Sequence, residues 1–405
     1  MYTNKAVCRR ALRLKPLAAC LLPMLALSGP ALAAVGVSPS SAQRLDIAAI
    51  GGGVASAAIW THGKPLANNV RGTLPPHTAP SQLMSPTVTS CADDGGFDTL
   101  RHAALVANSD DIIDLGGLPC SKITLQSGAI AIAVDNLTIK GPSTGTLTID
   151  GNAADRVFLH GGKGTLSLSG LTVTNGIVAT DKALGGCIYT KGSLTLTRST
   201  LTACKAIGQT IAIGGGALAY ADMTLDSSTV SGNLADATVG QPKTAALAGG
   251  VAALGHGKGL TVTDSIVSGN TVHAASGSAE GGGAGAFIVT SKYSTFTGNI
   301  AKAIGDASDY GAGGGLVSFY SLSMSNSTVD HNQADIAGGI FVGNGGGFAT
   351  IIQSTISTNK GTWPAAASSR RRRCRWPTAR SLSIPAARTA AAACSLPAPS
   401  RFRVR

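Results

Sequence analysis

The chain has 405 residues, 53 of them glycine, with 4% aromatic residues and a formal net charge of +12. That charge sits at the ends: +5 from Lys5, Arg9, Arg10, Arg13 and Lys15, and +10 from Arg370, Arg371, Arg372, Arg373, Arg375, Arg380, Arg388, Arg401, Arg403 and Arg405, with no acid in either segment. Taking +5 and +10 from +12 leaves −3 over residues 34–360, which excludes a nucleic-acid-binding reading of the whole chain.

Residues 1–33 read as an export signal: a basic head, a mostly apolar run from Leu17 to Leu27, and Ala31-Leu32-Ala33 before the expected cut. A lipoprotein signal at Leu17-Ala18-Ala19-Cys20 is the rival; Lys15 and Pro16 leave it no apolar core. A retained membrane helix fits poorly, because Pro23, Gly29 and Pro30 interrupt the run. Residues 34–90 carry Pro, Ser and Gly without periodicity and read as a flexible leader.

From Cys91 the pattern tightens. Asp98 is a candidate cap for a short helix, Thr99 to Ala107, with Leu100, Ala103, Ala104 and Val106 as its apolar positions. Such a helix would cover the open end of a stacked fold. Short strands are expected next at 112–115, 123–125, 130–134, 137–139, 147–149, 157–159, 166–168 and 171–173.

A repeat then dominates. Gly214-Gly215-Gly216 leads to Ser228-Thr229-Val230-Ser231-Gly232-Asn233, and four further copies end on Asn270, Asn299, Asn332 and Asn359. An earlier copy opens at Gly185-Gly186 and ends on Cys204. The asparagines fall 37, 29, 33 and 27 residues apart. A fixed motif at variable spacing predicts a solenoid of constant coils with loops of changing length. Within each copy the apolar positions alternate with period two, as in Leu260-Thr261-Val262-Thr263, which is strand periodicity. The fold class is therefore all-β: a right-handed parallel β-helix over 91–360 with a short N-terminal capping helix. The asparagines are expected in one column, bonded as a ladder. Insertions near 234–248, 271–280 and 300–312 are expected to leave one edge as loops.

After Lys360 the composition changes, and 361–405 read as a disordered Arg/Pro/Ala-rich tail. Reading the third base of each codon with the first two of the next forces alanine from Trp363-Pro364. It permits three glycines from Ala365 to Ala367, and a Ser-Thr-Ile-Ser run from Pro377 to Pro385. The repeat read out of frame is the expectation; an Arg-rich tail for anionic surfaces is the alternative.

Four cysteines lie in the domain: Cys91, Cys120, Cys187 and Cys204. In an exported chain they point to two bridges. Of the three pairings, the local one, Cys91–Cys120 and Cys187–Cys204, is the choice. No Cys/His cluster exists, so neither a metal nor another cofactor is expected.

On the glycine clusters followed by Ser-Thr-Ile/Val-x-x-Asn, and on the opening Cys91-Ala92-Asp93-Asp94-Gly95-Gly96, the chain resembles a bacterial family. These are secreted right-handed β-helix proteins that end in a variable cell-surface anchor, with repeats similar to those of polymorphic outer-membrane proteins. The resemblance implies export and an adhesin-like role toward glycan, matrix or another cell surface. It brings no catalytic residues, and the family's anchor has no counterpart here. Localisation follows: extracellular or outer-membrane surface, or periplasm if the anchor is lost.

The competing function is a carbohydrate-active β-helix enzyme acting on acidic polysaccharide. Its candidate residues are His256 in Gly255-His256-Gly257, with Asp222 and Asp226 in one coil. Clustered carboxylates on adjacent coils would favour it; scattered ones favour the binding module.

Overall fold

The computed structural model describes residues 87–361, except 145, 239–243, 256–258, 306–308 and 344–347, together with the backbone of Arg403–Val404. The export signal, almost all of the leader and the Arg-rich tail otherwise lie outside the described residues.

Short parallel strands wind into a β-solenoid of about eight turns. Its walls are a 16-stranded sheet, a nine-stranded sheet and a ten-stranded sheet, called here the wide, narrow and arm sheets. One coil shows the path. Ala217–Ala219 and Met223–Asp226 run along the wide sheet, and Thr229–Ser231 crosses the narrow one. Leu234–Ala237 and Thr244–Leu247 then run through the arm, and the chain re-enters the wide sheet at Val251–Ala253. Each strand pairs in register with its equivalent one coil on, so period-two alternation becomes columns. Leu194, Met223, Leu260, Val289 and Leu322 form one buried column. Leu201, Val230, Val267, Phe296 and Val329 form the facing one. Each such side chain contributes about 1.5–3 kcal/mol of burial.

The chain turns three times per coil through the left-handed region. Between the wide and narrow sheets the turning residues are Arg198, Ser227, Asp264, Tyr293, Asn326 and Gln353. Between the narrow sheet and the arm they are Ala203, Gly232, Gly269, Gly298, His331 and Thr358. Where the arm returns, Gly185, Gly214, Gly281 and Gly313 turn without strain, but Ala248 (φ 56°) and Ala337 (φ 53°) do the same work with a Cβ.

The glycine that follows explains the clusters. A Cβ on Gly216 would stand 2.7 Å from the Gly250 carbonyl oxygen and 3.2 Å from Asn233 Cγ. Gly215 likewise packs on the backbone of Leu234. The start and end of the main coil touch here, and the glycine and asparagine columns pinch its lumen shut.

The arm corrects the expectation of edge loops. The supposed insertions at 234–248, 271–280 and 300–312 stack, coil on coil, into the ten-stranded sheet. They hold a second core of Ala212, Ala235, Ala237, Ala246, Val272, Ala274, Ala279, Ala301 and Ala334. Alanine carries the alternation there, and its small apolar area makes a weak strand signal in sequence.

The N-terminal helix is Leu100–Val106, with Leu100, Ala103 and Ala104 buried. Its cap is Thr99, whose side chain accepts from His102 N, rather than Asp98. Val106 is exposed, contrary to expectation. Arg101 pins the helix: it donates to both carboxylate oxygens of Asp93 at 2.7 and 2.8 Å and to the carbonyls of Gly128 and Ala129. The disulfides are the local pair expected, Cys91–Cys120 and Cys187–Cys204, with Cα separations of 6.3 and 5.4 Å. At the far end the backbone of Arg403–Val404 runs parallel beside Thr350 and Ile351.

Candidate functional site

Of the carboxylates proposed for catalysis, Asp222 precedes and Asp226 ends the strand Met223–Asp226. Four residues of extended chain set their Cα atoms about 13 Å apart. Glycosidase pairs need roughly 5–9.5 Å. Each also has a local task. Asp222 Oδ1 accepts from Gly259 N at 3.0 Å, holding the next coil's loop, and Asp226 Oδ1 accepts from Ser227 Oγ at 3.2 Å at the corner. In register Asp226 lies between Thr197 and Thr263, so the stack brings no second carboxylate onto it. His256 lies outside the described residues. Asp330 Oδ2 lies 3.1 Å from His331 Nδ1 at a corner, with Asp330 between Thr297 and Ser357 in its column. Among the described residues, no three His, Cys, Asp or Glu side chains are placed to hold a metal ion.

The asparagines do come together. Asn233 Nδ2 donates to Asn270 Oδ1 at 2.9 Å and to the Leu201 carbonyl at 3.0 Å, and Asn233 N donates to the same Oδ1. Asn270, Asn299 and Asn332 repeat the pattern, and Asn359 Oδ1 accepts the last pair. At the lower end the column continues to Cys204, whose N donates to Asn233 Oδ1. Inside a narrow core this satisfies every amide atom.

A second ladder was not anticipated. Ser199, Ser228, Ser265, Ser294, Ser327 and Ser354 line the corner between the wide and narrow sheets. Each backbone N donates to the next serine's Oγ, as from Ser228 N to Ser265 Oγ at 3.0 Å. Each Oγ donates back two residues, as from Ser265 to the Thr263 carbonyl. Its sequence signal was the serine that opens every copy, five residues before the closing Cys204 or asparagine.

The narrow sheet thus carries a ladder on each flank, and its outward side chains are nearly all hydroxylic. The wide sheet's outer side sets a hydroxylic column, Thr138, Ser167, Thr195, Thr224, Thr261, Thr290, Ser323 and Thr350, close to a column that holds Lys140, Asp226 and Lys292. Near its first coils Tyr189 and Tyr220 meet edge-on at 5.7 Å, with Arg156 5.4 Å over the Tyr189 ring. Burial pushes both tyrosine hydroxyls up in pKa. The buried His160 bonds through both ring nitrogens, to Thr190 Oγ1 and to the Val134 and Asp135 carbonyls, and the buried Glu280 accepts from Tyr310 Oη at 3.0 Å.

No protein-family model, curated protein or solved structure matches the chain. Among the described residues no helix is long and apolar enough to cross a membrane. The two disulfides are compatible with an extracellular location.

Proposed function

We propose that the chain is an exported cell-surface or extracellular β-solenoid with a structural and adhesin-like role, presenting its side to glycan, matrix or another cell. The observation that carries this reading is the placement of the carboxylates. Asp222 and Asp226 are each tied into a turn, on a rod whose outer positions repeat in register over many coils. A repeating surface suits an extended ligand, while a reaction centre needs convergent groups. The signal-like residues 1–33 and the disulfides support export. Purified protein applied to glycan arrays, matrix proteins and bacterial cells tests the proposal. Saturable binding is expected, and its absence on all three sets the adhesive role aside.

A further inference from the structure

From Thr200 to Asp330 the narrow sheet crosses each coil with three residues, of which the middle one is buried and the outer two are partly or fully exposed. Register sets the outer ones in two columns. The first runs Thr172, Thr200, Thr229, Ile266, Thr295, Thr328 and Thr355. The second runs Thr174, Thr202, Ser231, Ser268, Thr297, Asp330 and Ser357. From Thr172 to Thr297 no charged side chain interrupts the array; charge returns only toward the ends, at Lys122, Asp150 and Asp330.

Three features make this a lattice and not merely a polar face. First, the sheet's pairings carry no register shift, whereas the wide sheet slips at Ala286/Ile288 and the arm at Gly208/Ile211. Second, from Ser199 on, each corner serine lies five residues before the Cys204 or asparagine that closes the same crossing, so variation in coil length falls outside the narrow sheet. Third, sheets of many strands twist unless side-chain ladders hold them, and this one has the serine ladder on one flank and the asparagine ladder on the other. Threonine has restricted χ1 freedom in a strand and stands perpendicular to the sheet. The array therefore sets its side chains on a backbone grid of about 4.8 Å between coils and about 6.6 Å along each strand, although in the second column Ser231 Oγ donates to Thr202 Oγ1 at 3.2 Å.

We propose that this face binds the surface of ice. Oxygen atoms on the faces of ordinary ice repeat at comparable distances in two directions. Fixed hydroxyls can stand in for lattice oxygens while the methyls cage the water between them. An uncharged array complements a neutral crystal; a charged group would hold its own hydration shell and break the match. The inference is independent of the adhesive reading, which failed glycan or matrix binding would remove without touching this one.

The test is partition of the full chain into slowly growing ice, together with inhibition of ice recrystallisation. The wild-type protein is expected to enter the ice. Thr229→Lys, at the centre of the array, is expected to abolish this, while Thr224→Lys, on the wide sheet of the same coil, leaves it unchanged. Ile266→Thr fills the gap in the first column and is expected to strengthen the activity, a gain that misfolding cannot mimic. Exclusion of the wild-type protein from ice overturns the proposal. So does equal loss in the two lysine variants, or a solution dimer that Thr229→Lys dissolves, since that would give the face to a second copy.

Discussion

Cys187 and Cys204 form their disulfide at the spot where, one coil on, Gly216 faces Asn233. The coil has two ways to close the same corner: an amide against a residue with no side chain, or two sulfurs bonded together. The bridge spans 17 residues and is worth roughly 3 kcal/mol in the chain-entropy picture. Cys204→Asn alone sets an amide against the Cys187 side chain. Adding Cys187→Gly restores the Gly–Asn contact and extends the ladder by one rung. A double-mutant cycle by thermal unfolding should give favourable coupling of about 1 kcal/mol or more; simple additivity would mean the two positions do not share the corner.

Asn270 sits mid-ladder, and its amide makes four bonds, two given and two accepted. Asn270→Ala leaves Asn233 N and one of the two Asn233 Nδ2 hydrogens without their acceptor, the other still donating to the Leu201 carbonyl. A loss of several kcal/mol is expected, since each orphaned buried donor costs about 1–3 kcal/mol. Denaturant titration of that variant beside Thr261→Ala, on an exposed position, checks it. Equal midpoints would show that the ladder contributes nothing.

Ala248 adopts φ 56° where the equivalent coils have Gly214 and Gly281. A left-handed alanine costs about 1–2 kcal/mol. Glycine gives back roughly 0.5–1 kcal/mol in chain entropy. Both methyls are buried, and losing one costs about a further 0.8 kcal/mol, so Ala248→Gly and Ala337→Gly should leave the melting temperature nearly unchanged, where an unstrained buried alanine would lose stability. A lower melting temperature in both variants would refute the strain.

His273 lies in an arm column between Asp236 and Lys302. Burial lowers its pKa, aided by Lys302 and opposed by Asp236. The folded state thus binds the proton less readily than the unfolded one. This stability is present above the ordinary histidine pKa of about 6.5 and is lost as pH falls below it. Asp93, Asp114 and Asp150 are held below 3.8, so their contribution goes only in stronger acid. For Asp93, burial would raise the value, but Arg101 and the N–H groups of Gln126 and Ser127 outweigh it. Stability measured from pH 8 to 5 should fall, and His273→Gln should flatten that slope. An unchanged slope in the variant would assign the pH dependence elsewhere.

The solenoid was legible because register turns one period into a wall. Any single copy ending on Asn233 or Asn299 reveals strand and corner, and five copies reveal the stack. The local disulfides were legible too, since each joins cysteines about one coil apart or less. The arm was not, because Ala235, Ala237 and Ala274 bury little area and look like loop. Nor was the reason for the glycine clusters, because Gly216 meets Asn233 only when the coil closes. The serine ladder hid in plain view: Ser228 and Ser265 look like solvent-facing polar residues until the corner turns them inward. For the enzyme candidates the sequence could show only that Asp222 and Asp226 share a coil. Their turn-holding bonds appear only once the coils are stacked.

Product release from polygalacturonate by the purified chain tests the central claim most directly, since it separates a binding rod from a reaction centre. The account predicts no unsaturated or reducing ends above background, from the wild type or from His256→Ala. Turnover in the wild type that disappears in His256→Ala would contradict it and establish a carbohydrate-active enzyme.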